Sequence, residues 1–237
     1  GVALGMAWTF VVGIAYRQRA MRPFNGLVAG LIFFGMLAGT FAWQVAQNID
    51  SDVAALKLPL PQSEITGEDW WESEWQQLPR QRSQLQSAPA REFNFQFAGQ
   101  AENLARVLAA HGWQEAEPAN WRWLLLTINP EPTEFTLPPL RRDYLGHADI
   151  LLLHRLGGDP FTQETLRIWD SGFRLSPAGE TVFLGQINSE VMVQRLKFFS
   201  YWRALPASSE SLARLEEEVG GLQSSRKDGE FLLIREP

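Results

Sequence analysis

The feature that most constrains this chain is a pair of charge-free stretches near its N-terminus. Residues 1–16 and 26–46 carry no charged side chain, whereas Arg17, Arg19 and Arg22 lie between them. A helix that crosses a bilayer needs about 20 apolar residues, and the first stretch is slightly short of that. We therefore predict two transmembrane helices, and we interpret the chain, which begins inside an apolar run without Met, as a fragment or processed product.

The arginines between the two stretches indicate how the helices are oriented. Cytoplasmic loops carry an excess of Arg and Lys, so we expect the arginine turn to face the cytoplasm and the chain beyond it to lie in the periplasm. This predicts a multi-pass protein of a bacterial inner membrane, with the helices inside residues 1–47. An alternative is a signal peptide beginning at Met21, which leaves residues 1–16 unexplained.

The composition changes after the apolar region. Residues 48–90 contain four prolines and a stretch rich in Gln, Ser and Arg, which is typical of a linker that does not order itself independently. Trp70, Trp71 and Trp75 lie in this segment among acidic residues, and we expect them to dock on folded protein. The remaining residues, 91–237, are predicted to form the soluble domain.

Alternating and helical patterns indicate the fold of this domain. Phe93, Phe95 and Phe97 alternate with polar residues, as in a half-buried strand; the 121–128 run is apolar but leaves helix and strand open. Further strands are predicted over residues 148–156, 164–169, 181–187, 191–202 and 229–235, with helices over 100–111 and from Ser208 or Ser209 to about Val219. This order predicts an α+β fold with a mainly antiparallel sheet and flanking helices.

Charge and composition narrow the classes of function. The formal net charge of −6 argues against a nucleic-acid partner, because such proteins need a basic face that displaces phosphate counterions. The absence of cysteine excludes disulfides, thiolate metal sites and a cysteine nucleophile. We expect no cofactor.

Two residues are weak candidates for catalysis. His147 and Asp149 would share one face if they lie in a strand, and such a pair can bind a metal or act as acid and base. No third ligand accompanies them, so we predict no metal site. The catalytic residues therefore remain unknown at this level.

Three arginines are candidates for binding an anion. Arg141 and Arg142 precede a predicted strand and Arg167 lies on the next one. Clustered guanidinium groups bind phosphate through bidentate contacts. The alternative is that these arginines are solvated or paired with nearby carboxylates such as Asp149.

The sequence resembles two families. Residues 1–19, GVALGMAWTFVVGIAYRQR, resemble the final transmembrane helix of the type 2 phosphatidic acid phosphatase superfamily. Residues 93–113, 137–152, 166–169 and 182–185 are similar to the LssY-type C-terminal domain, which occurs behind DedA-like or phosphatase-like membrane portions of bacterial proteins. The resemblance implies a relative of lipid-phosphate phosphatases with an appended extracytoplasmic domain.

The motifs of the phosphatase family are missing from this chain. Its Lys…Arg-Pro, Pro-Ser-Gly-His and Ser-Arg…His…Asp motifs do not occur here, and the histidines typical of LssY-type domains are replaced by Glu164-Thr165 and Tyr201-Trp202. We therefore expect a non-catalytic domain that binds lipid phosphate, membrane lipid, or an envelope or partner protein. The alternatives are a hydrolase of phosphorylated or lipid substrates and a purely structural interaction domain.

Overall fold

The computed structural model describes residues 30–40, 43, 57–82, 92–116, 137, 139–195 and 199–237. The chain forms two compact units, Gly1–Leu56 and Lys57–Pro237. In the first unit, residues 30–40 are helical, and the Thr40 hydroxyl donates to the Met36 carbonyl at 2.9 Å. Within the described ranges, no helix has both the length and the apolar character that a membrane crossing requires. Most of the two predicted transmembrane helices lies outside the described residues, as does the 121–128 segment.

The second unit contains eleven described strands and three described α-helices. The strands are β1 (Ser63–Thr66), β2 (Phe95–Ala98), β3 (Gln114–Glu115), β4 (Asp143–Tyr144), β5 (His147–Ala148), β6 (Leu151–Leu156), β7 (Thr162–Ser176), β8 (Glu180–Arg195), β9 (Phe199–Ala204), β10 (Gln223–Lys227) and β11 (Phe231–Arg235). The helices are α1 (Gly67–Glu72), α2 (Ala101–Ala109) and α3 (Ser209–Glu218), and a 3-10 helix spans Glu74–Gln77.

Nine of the strands form one mixed sheet in which antiparallel pairing dominates. Its main order is β10-β11-β2-β8-β7-β6-β3, while β1 pairs with β7 and β9 pairs with β8. Only β1–β7 and β11–β2 are parallel among the described pairs. The predicted α+β class with a mainly antiparallel sheet is therefore correct for this unit.

One face of the sheet is covered by α2 and α3. Because side chains alternate along a strand, Phe95 and Phe97 lie on this face together with Ile187 of β8. They form a core with leucines of the two helices. The helix α3 begins where predicted, since the Ser208 hydroxyl accepts a hydrogen bond from the Ser211 amide at 3.1 Å, as an N-cap residue does.

The opposite face of the sheet packs against part of the 48–90 segment. The prolines of this segment predict a linker. β1 extends the sheet beside β7, α1 and the 3-10 helix follow it, and the side chains of Trp70 and Trp75 are buried in the core of this face. The Trp70 indole donates to the Gln96 side-chain oxygen at 2.7 Å, and the Gln96 amide donates to the Trp75 carbonyl. Trp70 and Trp75 thus dock on folded protein as expected. Residues 57–82 fold with the domain, because the buried indoles supply apolar area.

The prediction of one strand over 191–202 is wrong. β8 continues to Arg195, and β9 returns beside it in antiparallel register, with Val193 opposite Tyr201. Apolar residues occur on both sides of Gln194, Arg195 and Lys197, so the local pattern does not show where one strand ends and the next begins. The 148–156 strand is likewise interrupted, since β5 ends at Ala148 and β6 begins at Leu151.

Candidate functional site: a buried cluster of arginines and carboxylates

Polar side chains occupy the face of β7 and β8 that α2 and α3 do not cover. In the sheet register Arg167 lies opposite Gln186, Thr165 opposite Asn188 and Gln163 opposite Glu190. All six residues are buried. Buried polar groups in such number need hydrogen-bond partners. They find them in one another, in the Glu92 carbonyl and in the segment between residues 139 and 150. The six buried residues on β7 and β8 form the floor of the site.

The segment over residues 139–150 is tied to the floor through main-chain carbonyls. The Leu140 carbonyl accepts from the Arg167 guanidinium at 3.2 Å, and the Arg142 carbonyl accepts from the Trp169 indole at 3.1 Å. The Asp149 amide donates to the same Arg142 carbonyl. These contacts bring Arg141, Arg142 and Asp149 next to β7.

Glu190 is the centre of the cluster. One of its carboxylate oxygens, Oε1, lies 2.9 Å from Arg142 Nη2 and 3.1 Å from Arg167 Nη2. The other, Oε2, accepts a hydrogen bond from the Gln163 side-chain amide at 2.9 Å. A carboxylate shared by two guanidinium groups holds both of them in place.

Asp149 is the second carboxylate of the cluster. Its Oδ1 lies 3.1 Å from Arg141 Nη1, and its Oδ2 lies 3.9 Å from Arg167 Nε. The Arg142 amide also donates to Oδ2. The side chains of Asp149 and Arg167 are fully enclosed, whereas those of Arg141 and Arg142 are 32% and 17% exposed. The cluster therefore reaches solvent through Arg141 and Arg142.

The electrostatics of the cluster are dominated by burial and by an excess of positive charge. Burial raises the pKa of the Asp149 carboxyl, and the Arg142 amide and the neighbouring arginines partly offset this. Burial and then the like charge of Arg167 lower the pKa of Arg142 to about 10, although Glu190 acts in the opposite direction. Arg82 adds to the same repulsion. Three arginines in the cluster thus face two carboxylates.

His147, one of the predicted catalytic candidates, has different contact partners from Asp149. Its Nε2 is 2.9 Å from the Leu58 carbonyl, and its charge acts on Asp170. Asp149 instead contacts Arg141 and Arg167. The structure therefore brings together Asp149 and all three candidate arginines, and it gives His147 a different set of partners.

His154 is a polar neighbour of the cluster that the sequence did not single out. It lies on β6 opposite Thr165, and its buried Nδ1 has no hydrogen-bond partner among the described residues. Burial lowers the pKa of this imidazole, while a hydrogen bond to the Gln163 side chain and the charge of Glu190 act to raise it. His154 is therefore more weakly basic than a solvated histidine.

Glu190 and Gln163 were also missed by sequence reasoning. The signal was available as a period of two, because Gln186, Asn188 and Glu190 alternate along β8, and Gln163, Thr165 and Arg167 alternate along β7. Such alternation usually indicates a solvated face. Here the face is buried because the segment over residues 139–150 packs on it.

The described residues include no group of three or more His, Asp or Glu side chains arranged to hold a metal ion. What the cluster offers chemically is paired guanidinium groups next to buried carboxylates.

The family model described as LssY C-terminus matches residues 75–200, which is more than half of the chain. The chain belongs to the LssY C-terminus family. The match begins at Trp75, inside the segment whose prolines predict a linker, and it includes every residue of the cluster from Arg141 to Glu190. No curated protein and no solved structure matches the chain significantly.

Proposed function

We propose that this chain is the C-terminal part of a phosphatase-like protein of a bacterial inner membrane. In this proposal the LssY-type domain lies in the periplasm and binds a phosphate-bearing group, such as a lipid phosphate, without catalysis. Two charge-free stretches around an arginine turn support the membrane location. The likeness of residues 1–19 to the last helix of type 2 phosphatidic acid phosphatases supports the parent protein.

The observation that carries the binding proposal is the excess of arginine in the cluster. Arg142 and Arg167 share one oxygen of Glu190, and their mutual repulsion helps to lower the pKa of Arg142. A phosphate monoester brings about 1.5 to 2 negative charges at neutral pH. A bound phosphate would relieve this repulsion and accept the bidentate hydrogen bonds that a guanidinium offers.

The three arginines have different tasks in this proposal. Arg141 and Arg142 are partly exposed and would contact the phosphate. Arg167 is enclosed and ion-paired with Glu190 and Asp149, so it positions the carboxylates that orient the other two. Membrane lipids, a lipid phosphate or a phosphorylated component of the envelope are the ligands of suitable chemistry.

Calorimetric titration of the full chain in detergent with glycerol 3-phosphate and with inorganic phosphate tests the proposal. The Arg141→Gln/Arg142→Gln double variant is expected to bind at least about tenfold more weakly, because charge-assisted hydrogen bonds are lost. Arg174→Gln is the matched control, since Arg174 is paired with Asp170 outside the cluster. Absence of saturable binding by the unaltered chain would contradict the proposal and leave a structural interaction domain.

Asp149 supports a second candidate, a hydrolase of phosphorylated or lipid substrates. Burial raises the pKa of this carboxyl, as in many general acids, and arginines surround it. Release of inorganic phosphate from phosphatidic acid by the full chain, abolished in Asp149→Asn, would favour this candidate. Activity that survives His147→Ala would exclude His147 from it.

A further inference from the structure

The outer ends of β8 and β9 form a surface that the rest of the fold leaves partly open. Val191 lies opposite Arg203, Val193 opposite Tyr201 and Arg195 opposite Phe199. Because side chains alternate along strands, these six residues share one face, which we call the hairpin tip. The same face carries Ile187, which is buried under the helices.

The hairpin tip combines exposed apolar and cationic groups. Phe199 is 40% exposed, Val191, Val193 and Tyr201 are half-buried, and Arg195 and Arg203 are exposed. Exposed aromatic side chains on one patch mark a binding surface more often than a solvated one.

Two arginines of the tip have no carboxylate partner among the residues that the structure describes. In the described part of the chain, Arg195 and Arg203 make no ion pair, in contrast to Arg155, which holds both Glu164 and Glu218. The Arg195 guanidinium lies 6.0 Å from the Tyr201 ring centroid, so it stays next to the aromatic group. None of the six residues is acidic. The tip is therefore complementary to an anionic surface.

We infer that the hairpin tip rests on the headgroup region of an anionic bilayer. Aromatic rings place their apolar bodies at a membrane interface, and arginines near an anionic leaflet are attracted to its surface potential. A protein partner fits less well, because a stable interface takes about 20–30 residues from each side. This inference rests on the membrane location in the proposed function, since a tethered domain samples the bilayer at high effective concentration.

A fluorescent label on the tip tests the inference. The chain contains no cysteine, so Phe199→Cys gives a single site for an NBD label in the full chain, reconstituted in nanodiscs of phosphatidylglycerol and phosphatidylcholine. We expect a blue-shifted emission that a lipid-attached spin label quenches. The control is Glu210→Cys, because Glu210 is highly exposed on α3 outside the tip; its NBD emission should remain that of a label in water.

Changes of the lipid, of the tip arginines and of the salt concentration distinguish contact with an anionic bilayer from burial of the label by other means. We expect the shift to disappear in pure phosphatidylcholine, in Arg195→Gln/Arg203→Gln, and at high salt, where surface charges are screened. Persistence of the shift in phosphatidylcholine, or a water-like label at residue 199 in anionic nanodiscs, would overturn the inference. The swap of lipids needs no further substitution, so a poorly folded double variant does not prevent the test.

The two proposals fail in different ways. Binding of glycerol 3-phosphate in detergent does not involve the tip, so it should be unchanged in Arg195→Gln/Arg203→Gln. If the chain enters nanodiscs while the label at residue 199 stays in water, only the inference about the tip is wrong. If the chain does not enter nanodiscs, both the membrane location and the tip contact are wrong.

Discussion

Arg167 and Glu190 form an ion pair of 3.1 Å between Nη2 and Oε1 in which neither side chain is appreciably exposed. The pair joins β7 to β8 in the middle of the sheet, on the face that the segment over residues 139–150 covers. Enclosed charges of this kind are costly to bury, and removal of one partner leaves the other charge uncompensated. The stability of the domain and the geometry of the candidate site therefore depend on the same contact.

Replacing Arg167 by Met should destabilise the domain strongly. The change leaves Glu190 and Asp149 enclosed with one guanidinium fewer, and loss of one partner of a buried pair costs about 3–5 kcal/mol. Urea unfolding of the full chain, followed by tryptophan fluorescence, measures the change. Arg174→Met is the control, because Arg174 is partly exposed in its pair with Asp170 and such pairs contribute about 1 kcal/mol or less. Equal effects of the two changes would contradict the prediction.

Gly172→Ala should be destabilising through two separate causes. Gly172 has a φ of +85°, which costs a residue with a Cβ about 1–2 kcal/mol, and the added Cβ would overlap the Pro61 carbonyl oxygen. Gly179→Ala isolates the first cause, since its φ is +73° and its Cβ would meet no atom within 4 Å. Thermal unfolding should show a larger loss for Gly172→Ala. A similar loss for both would mean that the segment around Pro61 moves freely away from β7.

Trp70→Phe should reveal that residues 57–82 belong to the domain. The change removes the indole donor that Gln96 accepts, and a buried oxygen left without its partner costs about 1–3 kcal/mol. Trp71→Phe is the matched control, because the Trp71 side chain is only half-buried. Chemical denaturation should give a lower midpoint for Trp70→Phe alone. An unchanged midpoint would restore the interpretation of this segment as a linker.

The carboxylates of Glu164 and Asp170 should make the domain sensitive to acid. Burial acts to raise the pKa of Glu164, but hydrogen bonds and charges of Arg155 and Arg214 outweigh it and bring the pKa below its ordinary 4.5. Arg174 likewise outweighs burial at Asp170 and brings its pKa below 3.8. Each folded carboxylate binds its proton more weakly than the unfolded chain does, so the stability it contributes is complete above its ordinary pKa. That contribution is lost as the pH falls through the lowered value.

Urea unfolding at a series of pH values from neutral to acid measures this dependence. Glu164→Gln is expected to lower stability at neutral pH and to reduce the slope below pH 4.5. Glu180→Gln, at an exposed position on β8, should leave both unchanged. An acid slope unaltered by Glu164→Gln would show that other groups control the acid transition.

Local patterns predicted those elements whose side chains follow one period and end at a clear signal. The alternating phenylalanines predicted β2, although the strand is buried throughout rather than half-buried and Phe93 packs in a different core from Phe95 and Phe97. Ser208 predicted the start of α3. The docking of Trp70 and Trp75 was predicted, but the fold of residues 57–82 and the pairing of β8 with β9 were not, because neither prolines nor local composition show which residues lie opposite one another. Whether a tryptophan such as Trp70 is buried depends on Gln96, which is distant in sequence.

The candidate site was likewise predicted from the sequence only in part. The sequence by itself determined that Arg141, Arg142, Arg167 and Asp149 are chemically suited to meet and that the sheet is mainly antiparallel. Only the tertiary structure decided that Glu190 lies between two of those arginines and that the face bearing them is covered. The physical reason is that a strand sequence fixes which side chains share a face, whereas burial and charge pairing depend on the register of neighbouring strands and on the segment that packs over them.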